Sequence, residues 1–202
     1  MRFFYKLVPA LLMVVVMTGH AFASDTEGNF SIRGAGLLTC ANLVAEREEQ
    51  TRAYLMIGGW LDGYLTGMNQ YASDTYDNSS FESTELFLAI MDKHCKDNPR
   101  DRLFSVVNTI MTRLHPDRIR KGSPLIPVQL GEYKTQLYQE TIQRIQHALT
   151  ERGHFKGKPT RKWDEHTERA LTAFQAGAKL EPSGFLDQTT LWRLLRKEEK
   201  NP

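Results

Sequence analysis

Between residues 36 and 114, apolar side chains return every three or four positions, with short polar breaks between the runs. Tyr54 to Tyr71 forms one such stretch, Phe81 to Met91 a second, and Leu103, Val106, Val107, Ile110 and Leu114 a third. That spacing puts one apolar stripe on each segment and predicts amphipathic helices. The third run has a predicted start, with Asn98 as cap, Pro99 at the first helical position and Asp101 in the first turn. Ser73 to Ser80 is rich in turn formers and predicts a loop. From His115 to Gly131, three prolines (Pro116, Pro124, Pro127) together with Gly122 and Gly131 rule out a continuous helix or a central strand and predict a linker. Helical spacing resumes with Tyr138, Ile142, Ile145 and Leu149 and stops at Arg152-Gly153. A further helix is expected over Glu165 to Ala176, and a last one from Asp187 as N-cap, burying Leu191, Leu194 and Leu195. The expected fold class is all-α, with two small helical domains.

The first 23 residues change this picture at one end. Arg2 and Lys6 precede an apolar run from Leu7 to Met17, which closes on Ala21-Phe22-Ala23. This is the order of a cleavable secretory signal. The run falls short of the roughly 20 apolar residues that a membrane span needs, so an uncleaved anchor is the lesser alternative. The expected organisation is a signal peptide at 1–23, a helical domain at 24–122, a linker at 123–132 and a second domain at 133–202. The expected location is the periplasm, with no membrane association after cleavage. Residues 24–122 carry 11 Lys and Arg against 14 Asp and Glu, and residues 123–202 carry 13 against 10. So mild an asymmetry fits two modules and lacks the concentrated basic face of a nucleic-acid binder.

Cys40 and Cys95 are the 2 cysteines of the chain. In an oxidising compartment they are expected to form one structural disulfide, closing a loop worth about 4 kcal/mol in the chain-entropy model. A metal site would need more ligands than His94 can add, and no Cys-x-x-Cys pair offers redox chemistry. No Gly-x-Ser-x-Gly elbow occurs. Neither His115-Pro116-Asp117 nor His154 with His166 has metalloprotease spacing, and Glu48-Glu49 reads as solvated charge. The expectation is therefore no enzyme, no catalytic residue, no metal and no cofactor.

In the C-terminal part, Ile145-Gln146, Leu149, Gly153, Phe155 and Gly157 are followed by Trp163, Thr167, Ala170-Leu171 and Phe174-Gln175. Leu180, Ser183-Gly184, Asp187, Thr190 and Leu194 complete the series. In this order, over 138–196, they resemble the peptidoglycan-binding domain type 1. The resemblance implies a three-helix bundle and peptidoglycan as partner. Physically most of these positions are scaffold. Gly153 supplies the left-handed residue that ends the first helix, Gly184 permits a tight turn before the Asp187 cap, and Gln146 and Gln175 are expected to bond loop backbone more than ligand. Where the family usually carries Asp-Gly-x-Phe-Gly, this chain has Thr160-Arg161-Lys162-Trp163-Asp164. Two readings of this loop stay open. Trp163 could stack on a sugar while Arg161, Lys162 and Lys158 meet cell-wall carboxylates, or Trp163 could replace a buried Phe and leave the cations solvated.

In the N-terminal part, Leu38-Thr39-Cys40, Gly59-Trp60-Leu61-Asp62-Gly63-Tyr64-Leu65-Thr66-Gly67 and His94-Cys95-Lys96-Asp97-Asn98-Pro99 resemble the HdeA-like family of small periplasmic helical proteins. It implies a protein-binding domain of acid-stress chaperone type, whose partner is an unidentified periplasmic protein. A related group of helical immunity proteins gives the main alternative, neutralisation of a secreted toxin. A further alternative is an envelope accessory protein whose C-terminal bundle does not bind wall. Gly59, Gly63 and Gly67 recur every fourth residue, which predicts a smooth helix face for close packing, with Trp60 and Tyr64 as core aromatics.

Overall fold

The computed structural model describes residues 24–196; the expected signal peptide lies outside them. The chain divides into two units, 1–31 and 32–202. Of the first, residues 24–31 hold a small turn in which the Asp25 carboxylate accepts the Glu27 and Asn29 N–H groups at 2.9 and 2.7 Å. The second carries everything that follows.

Four helices make its first half: α1 (Cys40–Glu48), α2 (Arg52–Tyr71), α3 (Thr84–Asp97) and α4 (Leu103–Leu114). Thr51 and Ser83 cap α2 and α3 by accepting the Tyr54 and Leu86 N–H groups, which satisfies donors that a helix start leaves open. Leu43, Ile57, Leu61, Phe87, Met91, Leu103, Val107 and Met111 fill the core between them. A disulfide joins Cys40 at the start of α1 to Cys95 near the end of α3, and both residues are buried.

Two expectations in this half are corrected. Asn98 ends α3, donating its side-chain amide to the His94 carbonyl, and α4 starts at Leu103. Asn98 is thus spent on the preceding helix, and Pro99 to Arg102 form the connection. The glycine stripe also has a different outcome. The buried face of α2 is Tyr54, Ile57, Gly58 and Leu61. It is Gly58 that approaches α3, where an added Cβ would sit 3.6 Å from Leu88 and Thr84, whereas a Cβ at Gly59, Gly63 or Gly67 would meet nothing. Helical rotation of 100° per residue puts the neighbour of Gly59, and not the stripe itself, against the core. Trp60 and Tyr64 pack on the core edge and stack on each other with ring centroids 5.7 Å apart.

The second half opens with a hairpin, so the fold is mostly helical but not strictly all-α. Strand β1 (Leu125–Leu130) pairs antiparallel with β2 (Tyr133–Tyr138) across the two-residue turn Gly131-Glu132, in the register Leu130↔Tyr133 and Leu125↔Tyr138. Pro127 is tolerated because a two-stranded ribbon leaves one side of each strand without ladder partners. Gly131, at φ +57, makes the turn. The ribbon buries Val128 and Leu137 against α5 (Gln139–Glu151), α6 (Glu165–Gly177) and α7 (Gln188–Leu195).

The loop ahead of α3 ties the two halves together. Phe81 is buried in the second core. Gln188 donates to the Phe81 carbonyl at 3.1 Å and accepts the Ser83 N–H at 3.1 Å, and Thr141 Oγ1 donates to the Ser80 carbonyl at 2.7 Å. Beside them the Glu82 carboxylate, fully buried, takes the guanidinium of Arg196 and the N–H groups of Ser80 and Phe81.

Candidate functional site

Two buried glutamines organise the loops of the C-terminal bundle. On α5, Gln146 accepts the N–H groups of Thr160 (2.9 Å) and Arg161 (3.0 Å) through Oε1. Its Nε2 donates to the Lys162 carbonyl (3.0 Å), Thr167 Oγ1 (2.9 Å) and Thr160 Oγ1 (3.1 Å). On α6, Gln175 repeats the device: Oε1 accepts the Gly184 N–H (2.7 Å), and Nε2 donates to the Phe185 carbonyl (3.0 Å) and Thr190 Oγ1 (3.1 Å). Each turn then leads into a capped helix. Asp164 accepts from the Thr167 N–H and hydroxyl, and Asp187 from those of Thr190. Both glutamines therefore bond loop backbone, as the pattern predicts.

The repetition is visible in the chain itself. Thr160, Asp164 and Thr167 stand at the same intervals as Ser183, Asp187 and Thr190. In this alignment Trp163 falls where the other turn has Leu186, which is 2% exposed. Trp163 packs against the same core, and its indole N–H is buried without an acceptor among the described residues. Arg161 falls where the other turn has Gly184, and both adopt the left-handed backbone, at φ +62 and +72.

Burial pushes the Asp164 carboxyl up, but the two Thr167 bonds, with His166 and Arg169 nearby, outweigh it and hold it below the usual carboxylate range. Arg161 is exposed, and its Nε donates to Gln143 Oε1 at 2.7 Å. Lys158 and Lys162 are exposed as well.

Arg161 forms one wall of an open groove of about 530 Å³, into which neither Lys158, Lys162 nor Trp163 reaches. Lys121 to Pro124 line it together with the helix positions Gln139, Gln143 and His147, one turn apart along α5. The segment is fixed there because the N–H of Gln139 bonds the Pro124 carbonyl (2.8 Å) and that of Glu140 bonds Ser123 Oγ (3.0 Å). Glu140 also lines the groove, but its carboxylate is paired with Arg144. Arg144 in turn donates to the Arg118 carbonyl at 3.0 Å. The sequence pattern pointed to Arg161 alone of these residues. Lys121, Gln143 and His147 carry no motif, and what brings them together is the return of the hairpin onto the start of α5.

Among the described residues no group of three or more His, Cys, Asp or Glu side chains is placed to hold a metal ion. Residues 138–194 match the family model described as a putative peptidoglycan binding domain. No curated protein and no solved structure gives a significant match to the chain.

Proposed function

We propose that the protein is a non-enzymatic envelope protein that binds peptidoglycan through residues 138–194 and offers its four-helix half to another periplasmic protein. The match of 138–194 to a peptidoglycan-binding family carries the first part. The exposed side chains Leu55 (72%) and Met56 (67%) on α2, beside the open Gly59, favour the second, because apolar surface of this kind marks interaction sites. Acid-stress chaperone activity belongs to the same reading. Export by the N-terminal segment would deliver the protein to the wall and to an oxidising space that closes Cys40–Cys95. Co-sedimentation of the full mature chain with purified sacculi tests the reading: the protein should pellet with sacculi and stay in solution without them. A protein that remains in the supernatant at every sacculus concentration would rule out wall binding.

A further inference from the structure

Among the positive-φ residues of the second half, Arg161 stands out because the same turn is built a second time with glycine. An L-residue in the left-handed region is strained relative to glycine there. At Gly184 the backbone has little room for a side chain, since an added Cβ would meet Thr172 Oγ1 at 2.8 Å and Glu168 Cγ at 3.1 Å. At 161 the chain accepts the strain and places a guanidinium there. Two anchors fix its direction: the backbone N–H on buried Gln146, and Nε on Gln143 Oε1. The two Nη groups remain for a ligand. Strain held in place by its surroundings is a mark of functional positions.

Exposed Lys121 lines the same groove, and His147 lies further along α5. The one carboxylate in the lining, Glu140, is already neutralised by Arg144. The groove therefore presents Arg161 and Lys121 as unneutralised cations, together with the amides of Gln139 and Gln143, which can both donate and accept. An arginine fork beside amide groups matches a carboxylate on a peptide backbone, not a bare sugar.

We propose that this groove binds the peptide stem of peptidoglycan, with Arg161 and Lys121 holding its free carboxylates and Gln139 and Gln143 bonding its amides. This rests on the wall-binding reading and assigns the ligand to the peptide, not to the glycan. It also places part of the site, Lys121 to Pro124, outside the region that matches the family.

Titration calorimetry of the full mature chain with a soluble disaccharide–tetrapeptide tests it, alongside sedimentation with sacculi. Arg161→Gly suits the left-handed backbone and should melt at the same temperature or higher, while binding the tetrapeptide about tenfold more weakly, as expected for losing one charge-assisted contact. Lys121→Ala, at an exposed position, should weaken binding in the same direction. Amidating the stem carboxylates should weaken wild type as much as Arg161→Gly does, and the disaccharide without its peptide should not bind. If wild type sediments with sacculi but Arg161→Gly and Lys121→Ala bind the tetrapeptide as wild type does, the groove is excluded and wall binding stands. If wild type neither sediments nor binds the tetrapeptide, both fall.

Discussion

Gln146 and Gln175 close two turns with similar sets of hydrogen bonds and an Asp-capped helix behind each, yet one turn exposes Arg161 and the other carries Gly184 packed beneath Thr172 and Glu168. The second turn is the one that folding alone requires: a glycine at the left-handed position and Leu186 in the core. The first deviates at both places, with an arginine for the glycine and a tryptophan for the leucine. Of the two, only the arginine lines the groove. Set against its copy, the 160–167 turn separates what holds the loop from what the loop offers.

The largest effect should come from the hubs. Gln146→Ala and Gln175→Ala each leave a buried N–H without its acceptor and two or more loop groups unpaired, so each should cost about 3 kcal/mol in urea denaturation. Their functional outcomes should part. Gln146→Ala frees the backbone under Arg161 and should abolish tetrapeptide binding where the protein is still folded, whereas Gln175→Ala should spare it. Equal loss of binding in both would mean that the two turns do not differ in role.

Exchanging the left-handed residues should have the next largest effect. Gly184→Arg forces a side chain into a left-handed backbone and against Thr172, and should cost about 2 kcal/mol. Arg161→Gly relieves strain but enlarges the freedom of the unfolded chain, so stability should change by no more than about 1 kcal/mol, toward greater stability. A clear loss of stability in Arg161→Gly would show that the arginine is structural. Removing the caps ranks below this: Asp164→Ala and Asp187→Ala should each cost about 1 kcal/mol.

Much of this half was legible because its signals are local. The Asp187 cap, the left-handed Gly153, the turn at Gly184, and the helix limits near Arg152 and Glu165 each follow from a few neighbouring residues. The hairpin was not legible. Proline and glycine read as breakers whether a segment becomes a linker or an edge ribbon, and only the burial of Val128 and Leu137 against α5 decides between them. The groove was hidden for a related reason, since Lys121 and Arg161 meet through tertiary folding across forty positions of chain. In the four-helix half, the glycine stripe showed correctly that one face of α2 is smooth. It could not show that the face turns outward, because a one-residue step on a helix moves a position by 100°.

The smallest expected effect in the 160–167 turn is electrostatic and concerns the Asp164 cap. Asparagine can replace aspartate there and still accept the Thr167 N–H, so Asp164→Asn removes the charge and keeps the cap. What is lost is the attraction between a carboxylate and the start of α6, a screened surface interaction worth about 0.5 kcal/mol or less. The pH dependence identifies it. The folded carboxyl sits below its ordinary value despite partial burial, because the Thr167 hydroxyl and N–H favour the charged form. A carboxyl lowered on folding contributes stability that is complete above its unfolded value of about 3.9 and is lost as pH falls through its folded value. Wild type should therefore exceed Asp164→Asn by a small, constant margin from pH 7 to about pH 5, and the margin should shrink as pH falls below the ordinary carboxylate value of about 4. Matched thermal melts of the two proteins across that range would measure it. A margin that is unchanged at the acid end, or that grows there, would show that the Asp164 charge plays no part in holding the turn that carries Arg161.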